Sequence, residues 1–262
     1  MQPLNAFPET ARRAIRGVLC DIDDTLTTDG RLTADAYAAL ERLHRKGLVV
    51  VPITGRPAGW CDHIARMWPV AAVVGENGAF YFRYDHKTRT MRRRFVESDE
   101  VRAANRARLM QVCDRIIAAV PGCAVSADQH YRETDLAIDY CEDVPPLPPQ
   151  AVAQIVTLMR QAGMTAKVSS IHVNGWFGSY DKLGMTRGLL AECFDIDLDR
   201  RDAEFVFVGD SPNDAPMFAF FPHAVGVANI RRFTDQLTAA PAYVTAGESG
   251  AGFCEVAELL LR

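Results

Sequence analysis

Asp21 and Asp23 stand two residues apart, directly after the apolar run Gly17-Val18-Leu19-Cys20. A strand turns alternate residues to the same side, so an i, i+2 carboxylate pair at its end can address one site. Two carboxylates held together repel unless a cation or a shared proton offsets the charge, and either solution is chemically useful. Acids at strand ends also serve as helix caps. Thr54-Gly55-Arg56 follows a second apolar run, Leu48–Ile53. A hydroxyl and a free N–H there can hold a phosphate or a carboxylate, or the three residues can simply turn the chain from strand to helix. Gly209-Asp210-Ser211-Pro212-Asn213-Asp214 ends a third run, Phe205–Val208, and adds another carboxylate. Oxygen ligands from Asp21 and Asp210, completed by water and a phosphate oxygen, suit a hard octahedral Mg²⁺. Lys182 opens a predicted helix, from which a point charge can reach phosphoryl oxygens.

These residues need a scaffold that gathers strand ends. Strand-like runs at 17–20, 48–53 and 71–74 alternate with helical patterns at 33–46 and 57–68, and Gly47 stops the first helix. That alternation predicts right-handed βαβ units around a parallel sheet, whose carboxyl edge is where ligands bind. The rhythm then changes. Asn77-Gly78 precedes two predicted antiparallel strands, Phe80–Tyr84 and Met91–Val96, followed by a helix near Val101–Val120, short strands near 124–126 and 135–140, the helix 150–162 and strands near 165–173. From Asp181 the α/β rhythm returns and runs to a last helix, 253–261. The expected organisation is a core in two parts, 1–83 and 178–262, with an α+β unit inserted at 84–177.

The order and placement of the four chemical elements resemble the haloacid dehalogenase (HAD) superfamily, whose pattern is DxDx[TV], then [ST], then Lys, then GDxxxD. Here they read Asp21-Ile22-Asp23-Asp24-Thr25, Thr54 in ITGR, Lys182 in YDKLGMTRGLL, and Gly209-Asp210-Ser211-Pro212-Asn213-Asp214. The usual Gly is replaced by Asp24. The position of the insert, and Gly75-Glu76-Asn77-Gly78-Ala79 ahead of it, look like the type IIB cap of Cof-like sugar phosphatases, sucrose-phosphate phosphatases and mannosyl-3-phosphoglycerate phosphatases. The resemblance implies a Rossmann-like core in which Asp21 attacks phosphorus and Asp23 serves as acid and base. It implies that Thr54, the Gly55 N–H and Lys182 bind the phosphoryl group. Mg²⁺ would lie between Asp21, the Asp23 main-chain carbonyl and Asp210, with Thr25, Asn213 and Asp214 supporting the metal shell from outside. The second Asp favours phosphate-ester hydrolysis, or transfer between sugar positions as in phosphomannomutases; a non-catalytic sensor of phosphorylated ligands is the remaining alternative.

Substrate choice should then reside in the insert. Between Arg83 and Arg108 there are nine Lys/Arg against four acids, and Arg92 and Arg94 share one strand face, opposite Arg93. That face is either solvated or a site for an anionic or polyhydroxyl group. Arg132, His172 and Asn174 are further candidates near strand ends. The whole chain carries 29 Lys+Arg against 33 Asp+Glu, a net charge of −4, which argues against a nucleic-acid partner. Its seven scattered cysteines form no CxxC pair, and it has neither an apolar membrane span nor, in residues 1–16, a secretory h-region. The expected protein is cytoplasmic and acts on a small phosphomonoester.

Overall fold

The structure, a computed structural model, describes residues 1–262. In chain order the strands are β1 (Gly17–Cys20), β2 (Val49–Pro52), β3 (Val73–Gly75), β4 (Phe80–Asp85), β5 (Thr90–Phe95), β6 (Ala124–Val125), β7 (Asp135–Asp139), β8 (Thr165–Val168), β9 (His172–Trp176), β10 (Phe205–Gly209), β11 (Val225–Gly226) and β12 (Tyr243–Val244). The longer helices are α1 (Ala34–Arg45), α2 (Ala58–Met67), α3 (Asp99–Ala119), α4 (Pro149–Gln161), α5 (Lys182–Phe194) and α6 (Ser249–Leu261).

The central sheet is parallel and runs Gln2–Pro3, β12, β11, β10, β1, β2. A parallel bridge from Ile53 to Val74 carries it on to β3. From β1 the chain moves outward through β2 and β3 on one side; after the insert it returns through β10, β11 and β12 on the other. The strand order therefore reverses between β1 and β10, and a crevice opens at their carboxyl ends. Strand alternation splits the core into two layers. Val18, Cys20, Val50, Val206 and Val208 face one side, under α1 and α6, while Leu19, Val51, Phe205 and Phe207 face the other, under α5. Thr33 caps α1 by accepting the Ala36 N–H at 3.3 Å, and the helix buries Ala36, Ala39, Leu40 and Leu43 at helical spacing.

Between α3 and β9 lies a second packed layer with an antiparallel sheet ordered β8, β9, β7, β6. Leu136 and Ile138 of β7 and Val173 of β9 bury against Leu109, Val112 and Ile116 of α3 and Ile155 and Met159 of α4. The alternate residues Asp135, Asp139, His172 and Asn174 point from the other face and are also buried.

One boundary differs from expectation. β5, expected within the insert, pairs along the whole of β4, with Phe80 opposite Phe95 and Arg83 opposite Arg92. Phe80 and Phe82 belong to one core layer and Tyr81 to the other, and Phe95 packs on Phe80 and Phe82 with ring centroids 5.2 and 5.8 Å apart. This aromatic burial draws the hairpin onto the core, so the expected division after residue 83 falls inside a core strand. No helix is long and apolar enough to cross a membrane.

Candidate active site

The register of β10, β1 and β2 sets Val208, Cys20 and Pro52 side by side, so the loops that follow them share one edge. The Asp21 N–H donates to the Val208 carbonyl at 2.9 Å, which ties the first loop to β10. Lys182, the first residue of α5, donates from Nζ to Asp21 Oδ1 at 2.7 Å and to Asp214 Oδ1 at 2.9 Å. Two glycines allow this assembly. A Cβ at Gly209 would lie 2.5 Å from Asp214 Oδ2, and Gly78, at φ +102°, is pressed against the Asp181 carbonyl that begins α5. The preceding residues Glu76 and Asn77 also have positive φ, 42° and 58°, a costly backbone that only a tightly determined setting maintains.

Carboxylate oxygens of Asp21, Asp210 and Asp214 lie within 4.8 Å of one another, all buried. Burial pushes the Asp21 carboxyl up to about 7 against the opposing charge of Lys182. Burial and the neighbouring Asp214 and Asp21 charges push Asp210 up as well. Asp21 and Asp214 in turn keep Lys182 firmly charged despite its burial. Three carboxylates thus share one cation. Asp214 has its oxygens committed to Lys182 and, at 3.3 Å, to the Asp210 N–H. Asp210 receives only long contacts of 3.4 Å, from Thr25 Oγ1 and Asn229 Nδ2. An all-oxygen cluster whose three carboxylates have one ammonium between them fits Mg²⁺, with Asp21 and Asp210 the side chains placed to ligate and Asp214 behind them. Asn213 accepts the Ser211 hydroxyl at 2.7 Å and lines the cleft.

At the end of β2 the Thr54 N–H donates to the Val74 carbonyl at 2.9 Å, and its Oγ1 accepts the Arg56 N–H at 3.0 Å. The Gly55 N–H has no partner in the chain. Arg56, which the sequence reading left without a role, is buried and donates from Nε to Asp23 Oδ1 and Oδ2 at 2.9 and 3.1 Å. It also reaches the insert, with Nη2 3.0 Å from Glu142 Oε1 and Nη1 3.5 Å from Asp128 Oδ2.

The insert residues divide. Arg132, His172 and Asn174 line the same cleft as Asp21, Asp23 and Asp210. Arg132 donates to Asp128 at 2.8 Å, to Asp135 at 3.0 Å and to the Gly55 carbonyl at 2.9 Å, so its charge is already matched. Asn174 donates to Asp135 at 3.2 Å. His172 Nε2 lies 2.8 Å from Glu142 Oε2, and together with Arg56 it holds the Glu142 carboxyl down to about 2. Arg92 and Arg94, in contrast, lie on β5 of the core and contact Glu192 of α5 at 2.7 and 3.6 Å, away from the cleft. Strand alternation does place them together and Arg93 opposite, where it meets Asp62, but the face they share is that of the core helix.

Glu76 is the other residue whose part the sequence did not disclose. It is fully buried, and its carboxylate accepts the Ala58 N–H at 2.9 Å on the core and, from the insert, the Glu133 N–H at 2.9 Å, the Thr134 N–H at 2.6 Å and the Thr134 hydroxyl at 2.5 Å. A carboxylate set between two glycines and an asparagine was the available signal, but its partners in the insert lie 57 and 58 residues away.

Comparison with known proteins agrees with this geometry. Residues 18–136 match the family described as haloacid dehalogenase-like hydrolase. A phosphoglycolate phosphatase of Haloarcula marismortui is 37% identical over 99 residues, and that match spans 38% of this chain and 38% of the relative. The crystal structure of Thermoplasma acidophilum 0175 superposes with a TM-score of 0.71 at 20% identity, covering 95% of this chain and 99% of that one. The sucrose-phosphatase of Synechocystis sp. PCC6803, in complex with sucrose and phosphate, gives 0.63 at 15% identity over 94% and 98%. A trehalose-6-phosphate phosphatase related protein gives 0.63 at 12% over 93% and 96%. The matched segment contains the Asp21 and Thr54 loops but not Lys182 or Asp210, and the solved structures share the fold that brings those two residues to the same sheet edge.

Proposed function

We propose that the protein is a Mg²⁺-dependent phosphomonoester hydrolase that works through an aspartyl-phosphate, with the insert acting as a cap. The observation that carries this reading is the convergence of Asp21, Asp23, Lys182 and Asp210 on the sheet edge where the strand order reverses. Asp21 supplies the nucleophile: one carboxylate oxygen bonds to phosphorus as the bond from phosphorus to the leaving oxygen breaks. The Asp23 carboxyl gives its proton to that oxygen, then as carboxylate takes a proton from the water that attacks phosphorus and releases Asp21. Lys182 fixes the Asp21 carboxylate and balances the charge beside it. The Gly55 N–H and the Thr54 hydroxyl are the phosphate donors of the β2 loop. Arg56 orients Asp23 and, through Glu142, joins that orientation to the seating of the cap. Held by Asp21, the Asp23 main-chain carbonyl and Asp210, Mg²⁺ would screen the phosphate dianion from the nucleophile.

The organic part is small, and sugar phosphates are the class favoured by the fold shared with the sucrose-phosphatase. The cytoplasm, with reduced thiols, is the compartment proposed for it; all seven cysteines are unpaired. A mutase reading gains nothing, because the Arg92/Arg94 pair that would serve a second phosphate is engaged with Glu192. The test is phosphate release from p-nitrophenyl phosphate and a panel of sugar phosphates, with Mg²⁺ or with EDTA. Turnover is expected in the wild type with Mg²⁺ and lost both with EDTA and in Asp21→Asn. Absence of release from every ester, or full activity in Asp21→Asn, would overturn the proposal.

A further inference from the structure

The cleft directly over Asp21 has only about 20 Å³ of free volume, room for about one water, so the organic part of a substrate must lie elsewhere. Three larger cavities adjoin the cleft, the smallest of them, of about 220 Å³, beside Lys182 and Asn213. One, of about 670 Å³, borders Asp210 and has a largely polar wall that includes Asp24, Tyr140 and Arg232. The second large one, of about 440 Å³, has Asp23 and Arg56 in its wall together with four ring side chains, Trp60, Trp68, Tyr131 and His63, and aliphatic residues such as Ile22 and Leu32. We propose that this second, aromatic cavity receives the leaving group, and that it selects esters whose organic part presents a flat ring face.

The inference rests on the phosphatase reading, because that reading requires the leaving oxygen to meet Asp23, and of the three cavities only this one includes that residue. The walls favour a ring over an open polyol. Thr27, also in the wall, already has its hydroxyl engaged: it donates to the Ile22 carbonyl and accepts the Asp24 N–H, both at 3.1 Å. Aromatic side chains, by contrast, gain from offset contact with a flat face. Trp60 and Tyr131 are 42% and 58% exposed, although both are large and apolar. They are also held in place. The Arg56 guanidinium stacks 4.5 Å over the Trp60 ring, which links the indole to the Asp23 ion pair. Tyr131 crosses from the insert onto α2, where a Cβ at Gly59 would lie 2.9 Å from the Tyr131 Cβ. The next residue, Arg132, anchors the tyrosine by donating to the Gly55 carbonyl. The pocket is thus completed only when the insert is seated.

The shared chemistry is a flat ring face, offered by an aryl group or by the apolar side of a sugar ring. The test uses Asp21→Asn with Mg²⁺, so that ligands bind without turnover, and reads tryptophan fluorescence, since two of the three tryptophans line the cavity. Phenyl phosphate, glucose 6-phosphate and glycerol 1-phosphate are titrated, and each is repeated with Trp60→Ala or Tyr131→Ala added. The affinity advantage of the ring esters over glycerol 1-phosphate is expected to fall about tenfold in both variants, the size of one aromatic contact with its buried area. A fall for phenyl phosphate alone identifies an aryl leaving group; a fall for glucose 6-phosphate identifies the sugar face. Trp60→Phe should recover part of the advantage. An advantage that survives both alanine variants, that is lost instead in Phe233→Ala of the polar cavity, or that is absent from the start overturns the inference. Failure of the phosphatase reading registers separately, as ring esters that bind the wild type and release no phosphate.

Discussion

Lys182→Met isolates the charge arrangement of the site from its chemistry. Lys182 Nζ lies 2.7 and 2.9 Å from Asp21 and Asp214, with all three side chains buried. At an effective dielectric of about 20, a unit pair about 2.8 Å apart is worth roughly 6 kcal/mol, and desolvation of the ions offsets much of it. Removal of one partner from a buried pair costs about 3–5 kcal/mol, because the charge left behind is uncompensated. Here carboxylates are left on both sides, with Asp210 within 4.8 Å of each, so the upper part of that range applies. Urea unfolding at neutral pH in EDTA measures the loss directly. A second substitution, Asp214→Asn, removes one stranded carboxylate, and the double-mutant cycle should show a coupling of about 1–3 kcal/mol. Mg²⁺ should restore more stability to Lys182→Met than it adds to the wild type, because the variant cluster lacks its resident cation; at about 100 times its Kd the ion returns about 2.7 kcal/mol. A loss below about 1 kcal/mol with no coupling to Asp214 would refute the view that Lys182 neutralises this cluster.

Other consequences concern the join between insert and core. Glu76→Gln leaves a single acceptor oxygen where four donors converge, so it should destabilise by about 1–3 kcal/mol and speed hydrogen exchange at the Glu133 and Thr134 amides; unchanged exchange there would remove Glu76 from this role. Glu142 is held down to about 2 by His172 and Arg56, so its contribution is complete above its ordinary value of 4.5 and declines as pH falls toward 2. The Tm advantage of wild type over Glu142→Gln should therefore shrink across that acid window, and an advantage independent of pH would contradict the pairing.

The α/β rhythm was legible because strand and helix periods are local properties, and the turn signals fall between them. The four chemical elements were legible for a related reason. In an open parallel sheet every residue just past a strand lies at the same edge, so the positions of Asp21, Thr54 and Asp210 in the sequence already imply their neighbourhood. Side-chain partners chosen across long separations were not legible. Arg56 meets Glu142 86 residues on, and Tyr81, on the hairpin that the expected boundary divides, meets Glu192 111 residues on. The hairpin misled because alternation shows which residues share a face and not what that face will meet. Phe80, Phe82 and Phe95 settle the matter by burying in the core, and Arg92 and Arg94 go with them to Glu192. Sequence alone thus determined which groups could do chemistry and at which strand ends. Tertiary packing decided which charges remain free, because a carboxylate or guanidinium acts on a ligand only to the extent that its neighbours leave it unmatched.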